Sequence, residues 1–132
     1  MKEFTLHVLA ADRVFYNGPC VSISAPASDG EFGVLANHEN TIIAIIPGII
    51  RFTTPEGNEH KAVVSQGMMK IENNDVLVLV HSCERPEDID RVRAERALEE
   101  AMRQLKQKQS KKEYHIAQAN LARALSRLKI DK

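Results

Sequence analysis

Cysteine is scarce: Cys20 and Cys83 are the only two in 132 residues, and they stand far apart. A chain like this is held by its core, and isolated thiols suit a reducing compartment better than a stapled secreted scaffold. Long apolar runs are missing as well. The longest, TIIAIIPGII at residues 41–50, is broken by Pro47 and Gly48 and falls short of the roughly 20 residues a bilayer demands. The opening MKEFTLHVLAADRV alternates and carries acids, unlike the greasy stretch of a signal peptide or the acid-poor pattern of a transit peptide. These absences predict a soluble chain, of a length that suits one domain or a compact domain with an appendage.

Familiar catalytic patterns are absent too. There is no G-x-x-x-x-G-K-[ST] and no G-x-G-x-x-G, so no standard phosphate cradle, and no G-x-S-x-G elbow. The His38-Glu39 pair lacks the second histidine of H-E-x-x-H, and the five histidines fall in separate segments, which argues against a metal centre. The expectation is a protein that is not an enzyme and needs no cofactor.

Net charge is also absent, with eighteen basic against eighteen acidic residues, but the balance hides a gradient. Through Arg85 there are 6 Lys/Arg and 10 Asp/Glu; from Pro86 onward there are 12 and 8. Residues 101–132 hold 9 basic side chains against Glu113 and Asp131 alone. Such a basic arm invites a nucleic-acid reading, yet Tyr114 is its one aromatic and no recognition helix is evident, so the parts that stack on or read bases are missing.

What is present divides into two grammars. Up to about Ser82, short apolar or alternating runs (FTLHVL, VFY, VSIS, FGVL, TIIAII, IIRFTT, KAVVS, MMKIEN, VLVLV) are cut by Asn17-Gly18-Pro19, Ser28-Asp29-Gly30, Pro47-Gly48, Pro55-Glu56-Gly57-Asn58, Gln66-Gly67 and Asn73-Asn74-Asp75. That rhythm predicts an all-β sandwich or barrel over residues 1–85. After Pro86 neither Gly nor Pro occurs again, and Ala, Glu, Arg, Lys, Gln and Leu dominate, so residues 86–132 read as helix. The first helix should begin between Pro86 and Ile89, with Glu87 and Asp88 at its positive end, and fade at KQKQS. Ser110 and Glu113 form a capping-box pattern for the second. Ala94, Ala97, Leu98, Ala101 and Leu105 on one helix face Tyr114, Ala117, Leu121, Ala124, Leu125 and Leu128 on the other, an antiparallel hairpin with an alanine-rich seam. So thin a seam predicts a marginal element that a ligand or partner can move.

Four segments, in order, resemble the epsilon subunit family of the F-type ATP synthase. GEFGVLANHEN resembles that family's G-x-x-G-[IV]-x-P-G-H-A-P loop, and IIPGIIRF its P-G-x-[IVL]-R strand. VVSQGMMKIENNDVLVLV resembles its G-G-x-x-E-V-x-x-x-x-V-x-V-L hairpin, and EDIDRVRAERALEEA its I/L-D-x-x-R-A helix start. Ala36-Asn37 stand where the pattern has Pro-Gly, and Glu39-Asn40 where it has Ala-Pro, changes expected to soften the turn.

The resemblance implies a ten-stranded sandwich that binds a gamma subunit and sits on the membrane rotor ring of c subunits, at the cytoplasmic face of the cell membrane. It implies two helices that fold down or extend to meet the alpha and beta subunits of the catalytic head. Glu31 and His38 would then lie in the ring-facing loop. Similarity to nucleotide-binding members marks Glu84, Ile89, Asp90, Arg93, Ala94, Arg123 and Arg127 as a site for ATP as a regulatory ligand, the arginines suiting phosphate oxygens. Asp90 and Arg93 serve equally well in a salt bridge between the helices or from hairpin to sandwich. A rival reading is a β-sandwich adaptor whose basic hairpin binds an acidic protein or nucleic acid.

Overall fold

The computed structural model describes residues 2–106 and 111–130. Ten strands come first: β1 (Phe4–Ala10), β2 (Arg13–Cys20), β3 (Ser22–Ala27), β4 (Gly30–Leu35), β5 (Thr41–Ile45), β6 (Gly48–Thr53), β7 (Glu59–Val64), β8 (Gly67–Glu72), β9 (Asp75–Val80) and the short β10 (Cys83–Glu84). They form two five-stranded sheets, β2-β1-β9-β8-β5 and β10-β7-β6-β3-β4. A sandwich is one of the two architectures the turn spacing predicts, and ten strands are the number the resemblance implies. Side chains alternate across each strand, and one face of each sheet is closed off from water. Phe4, Leu6 and Val8 of β1, Met69 and Ile71 of β8, and Val76 and Val78 of β9 meet Ile23, Ile50, Phe52 and Val64 of the facing sheet in a single core.

One pairing joins the ends of the domain. β1 runs parallel to β9, from Thr5 opposite Asp75 to Ala10 opposite Val80. The β8–β9 hairpin depends on a close backbone approach at Gly67, where a Cβ would lie 2.0 Å from the Leu79 carbonyl oxygen. Only glycine fits there.

Two local expectations are corrected. Asn17-Gly18-Pro19, read from sequence as a turn, lies inside β2, which continues to Cys20. Pro19 is accommodated because β2 is the edge of its sheet, where a missing N–H leaves no ladder bond unmade. The first long helix does not begin at Pro86–Ile89. Pro86–Asp88 make a single 3-10 turn, Ile89 is extended (φ −88°, ψ 123°), and the α-helix α1 spans Arg91–Lys106. Asp90 sets that start: its carboxylate accepts a bond from the Arg93 backbone N–H (3.2 Å) and its carbonyl from the Ala94 N–H (2.9 Å), an N-cap that satisfies otherwise orphaned donors.

The second helix, α2, spans Lys111–Lys129 and packs along α1. Ala94 and Ala101 of α1 and Ala117 and Ala124 of α2 are fully buried, so the seam is the expected alanine stripe. It is narrower than the apolar pattern suggests: Tyr114 and Leu125 remain 43% and 38% exposed. Small residues bring the helix axes close, and the positions flanking such a contact stay outside it. Ser110 and the Glu113 side chain, the capping-box pair, lie outside the described residues. The end of the hairpin folds back onto the sandwich, where Ile89, Ala94, Leu128 and Ile130 pack against Ile49 of β6 and Val63 of β7.

Candidate functional site

Six of the seven residues marked by resemblance as nucleotide ligands line one cleft of about 270 Å³: Glu84, Ile89, Asp90, Arg93, Ala94 and Arg127. It forms where three elements converge. β10 brings Glu84, the extended link and the first turns of α1 bring Ile89 to Ala94, and the last turns of α2 bring Arg127. Ile89 and Ala94 are buried and form an apolar wall. Ala97 extends that wall, and the rest of the lining, Glu84, Asp88, Asp90, Arg93 and Arg127, is charged.

The cleft's electrostatics are dominated by one ion pair. Arg127 Nε donates to Glu84 Oε1 at 2.9 Å, and its Nη2 donates to the same oxygen. This is the bridge between sandwich and hairpin. Asp90 and Arg93 were the sequence's candidates for that role, but Asp90 is occupied as the cap of α1. Arg123, the seventh residue, is not among the cleft-lining residues. It lies one helical turn before Arg127, its Nη1 donates to Asn120 Oδ1 at 3.5 Å, and its buried Nε has no partner among the described residues. An orphaned guanidinium N–H is unusual enough to ask for an acceptor.

Glu31 and His38 do not share a loop. Glu31 lies within β4, opposite Pro26, and its carboxylate accepts from Arg51 Nη1 at 3.2 Å. His38 lies beyond the end of β4, its ring edge-on to Phe32 at 5.6 Å. Phe32 and Glu31 are neighbours on β4, so their side chains point to opposite faces.

A third feature escaped sequence reasoning because strand order decides it. Val14, Leu9, Leu79, Met68 and Ala44 stand opposite one another across all five strands of the first sheet, on its outer face. Val14 is 62% and Leu79 39% exposed, and Ile42 beside them is 67% exposed. An exposed apolar band of this kind is a candidate docking surface. Sequence reasoning also missed two arginine contacts at the root of the hairpin. Arg13 Nη2 donates to the Cys83 carbonyl at 2.6 Å, and the Arg85 guanidinium lies 5.0 Å from the centre of the Phe15 ring.

The molecule is in class a two-layer β-sandwich carrying a folded-back helical hairpin. Comparison with known proteins supplies the family: the chain belongs to the ATP synthase delta/epsilon chain family, whose β-sandwich domain matches residues 3–86 and whose long α-helix domain matches residues 87–130. It is 40% identical over 128 residues to the ATP synthase epsilon chain of Ruminiclostridium cellulolyticum, covering 97% of this chain and 95% of that one. It is 38% identical over 130 residues to that of Caldicellulosiruptor bescii, covering 98% and 94%. Among solved structures it is similar to a chain of the Euglena gracilis mitochondrial ATP synthase OSCP/F1/c-ring, with a TM-score of 0.79, 25% identity and coverage of 91% of this chain and 76% of that one. A chain of the Tetrahymena thermophila mitochondrial ATP synthase central stalk and c-ring shares the fold at a TM-score of 0.68 and 10% identity, covering 97% and 96%.

Proposed function

We propose that this chain is a non-catalytic subunit of the central stalk of an F-type ATP synthase, gripping a gamma subunit and the c-subunit rotor ring through its sandwich. Its hairpin is a mobile arm that restrains ATP hydrolysis. The relatives' names and the central stalk and c-ring in the titles of the similar structures support the placement. The apolar band on the outer face of the first sheet supplies a surface for gamma, and Glu31 and His38 supply ring contacts. The complex sits at the cytoplasmic face of the membrane; among the described residues no helix is long and apolar enough to cross it.

One observation carries the arm. Among the described residues, the hairpin is held down by a small apolar patch and the partly exposed Glu84–Arg127 ion pair, a contact weak enough to be exchanged for another. Released, the arm presents the basic stretch from Arg103 onward to acidic loops of the alpha and beta subunits, an attraction that salt screens. The Glu84–Arg127 cleft supports the reading of ATP as the arm's regulatory ligand: phosphate oxygens would draw Arg127 from Glu84 and give Arg123 an acceptor, the base resting on Ile89 and Ala94. Bound ATP stabilises the folded arm by RT ln(1 + [ATP]/Kd), about 2.7 kcal/mol at a hundredfold excess over Kd.

Deleting residues 87–132 tests the arm. ATP hydrolysis by the assembled complex should rise while assembly is kept; unchanged hydrolysis would refute the restraint. Calorimetry on the isolated chain tests the ligand independently, and absence of ATP binding would remove it without touching the stalk assignment.

A further inference from the structure

The loop after β4 is shaped by four asparagines. Asn37 (φ 63°), Asn73 (φ 53°) and Asn74 (φ 62°) occupy the left-handed region, which asparagine tolerates better than most residues. The side chains of Asn40 and Asn74 tie two loops together. The Asn37 backbone N–H donates to Asn74 Oδ1 at 2.7 Å, and the Asn73 backbone N–H donates to Asn40 Oδ1 at 3.0 Å. Asn74 Nδ2 donates to the Glu3 carbonyl at 2.9 Å, so both ends of its amide are fixed and its orientation is determined. The loop over residues 36–40, the β8–β9 turn and the entry to β1 are thereby bound into one unit, although they lie more than thirty residues apart in sequence.

His38 lies between Asn37 and Asn40 on the first of these loops. Its Nδ1 bonds the Glu39 carbonyl oxygen at 2.8 Å, an acceptor that Thr41 Oγ1 also uses at 3.0 Å. A carbonyl oxygen can only accept, so Nδ1 carries the proton of this bond. With Phe32 against one side of the ring, the imidazole is held by contacts on a loop that is itself held by Asn40 and Asn74. The softening expected from Ala36-Asn37 and Glu39-Asn40 is therefore answered: hydrogen bonds across two loops replace the stiffness that a Pro-Gly turn would give.

We infer that Asn40 and Asn74 are positioning residues that lock the loop over residues 36–40 to the β8–β9 turn and so present His38 in a fixed pose to the rotor ring. The inference deepens the docking reading proposed above and rests on it. Without the lock, the loop has to be ordered at the moment of contact, and affinity drops by that cost.

The test uses the full-length chain and its complex with gamma and a purified c-subunit ring. Asn40→Ala should speed exchange of the Asn73 amide by about fivefold, and Asn74→Gly, which keeps the left-handed backbone available, should do the same for the Asn37 amide. Asn40→Asp retains the acceptor oxygen and should exchange as the parent does. Each accelerating variant should weaken ring binding by a similar factor, with binding to gamma unchanged. Unaltered exchange in both Asn40→Ala and Asn74→Gly overturns the lock. Faster exchange with full ring affinity, in a complex where His38→Ala weakens binding, overturns the positioning role. If His38→Ala and Glu31→Ala also leave ring affinity intact, the docking reading itself falls, and the inference with it.

Discussion

Arg127, near the end of α2, donates its Nε–H to the carboxylate of Glu84 at the end of β10, 2.9 Å away and 43 residues earlier in the chain. Their side chains are 27% and 24% exposed, between an open surface pair and a buried one. The bond spans the joint between sandwich and hairpin, and it occupies the guanidinium that a phosphate in this cleft would need.

Either Glu84→Gln or Arg127→Ala should loosen the hairpin by about 1 kcal/mol, the upper end for accessible ion pairs. Hydrogen exchange in the last turns of α2 should rise while the strands stay protected. The double variant should lose little more than either single one, because both break the same contact. Arg123→Ala combined with Arg127→Ala should abolish any ATP-induced gain in hairpin stability seen by thermal unfolding.

The helix seam leaves no room for larger side chains. Ala101→Leu or Ala124→Leu adds bulk where the parent residue is 1% exposed, and should destabilise the hairpin by roughly 1–3 kcal/mol. The sandwich transition should be unaffected, since its core lies between the sheets. In the assembled synthase either variant should shift the arm toward its extended pose, measurable by cross-linking to the head.

Leu79→Glu combined with Val14→Lys puts two charges into the exposed apolar band without touching the core. Thermal stability should change by less than about 0.5 kcal/mol, as for ordinary surface sites. Co-purification with gamma should fall at least tenfold if that face is the interface. Retained co-purification would move the gamma contact to another surface.

Burial pushes the Cys83 thiol from the ordinary value of 9.0 up to about 12, with Arg13 and Arg85 nearby drawing it the other way. The folded chain keeps this proton where the unfolded chain has lost it. Stability from the neutral buried thiol is therefore complete below about pH 9 and is lost as pH rises toward 12. Thermal melts from pH 7 to 11 should show a decline that Cys83→Ala makes shallower by on the order of 1–2 kcal/mol. At pH 8 the native thiol should resist alkylation, because the thiolate is the reactive form.

Much of the fold was readable because it is written in local terms. Asn73-Asn74 between two alternating runs specifies the β8–β9 hairpin, and the loss of Gly and Pro after Pro86 specifies helix, since both signals act within a few residues. The reading failed where local signals were outvoted. Asn17-Gly18-Pro19 has turn chemistry, but β2 lies on a sheet edge that tolerates proline and so runs straight through. Pro86 suits a helix start, yet Asp90 provides the side-chain cap and the α-helix begins after it. The cleft was legible only through resemblance, because Glu84 and Arg127 are distant in sequence and nothing near either one announces the other.

By itself the sequence determined an all-β domain, sandwich or barrel, followed by a basic helical hairpin, for the period of apolar residues and the placement of turn formers are set by steric and solvation rules that act along the chain. Tertiary structure alone decided that β1 lies parallel to β9, that Val14 through Ala44 align into one exposed band, that Arg127 rather than Arg93 bridges to the sandwich, and that four asparagines lock two loops together. Those outcomes depend on which strands become neighbours and where the helices come to rest. Contacts between residues forty or seventy positions apart form only when burial of the shared core has chosen one arrangement.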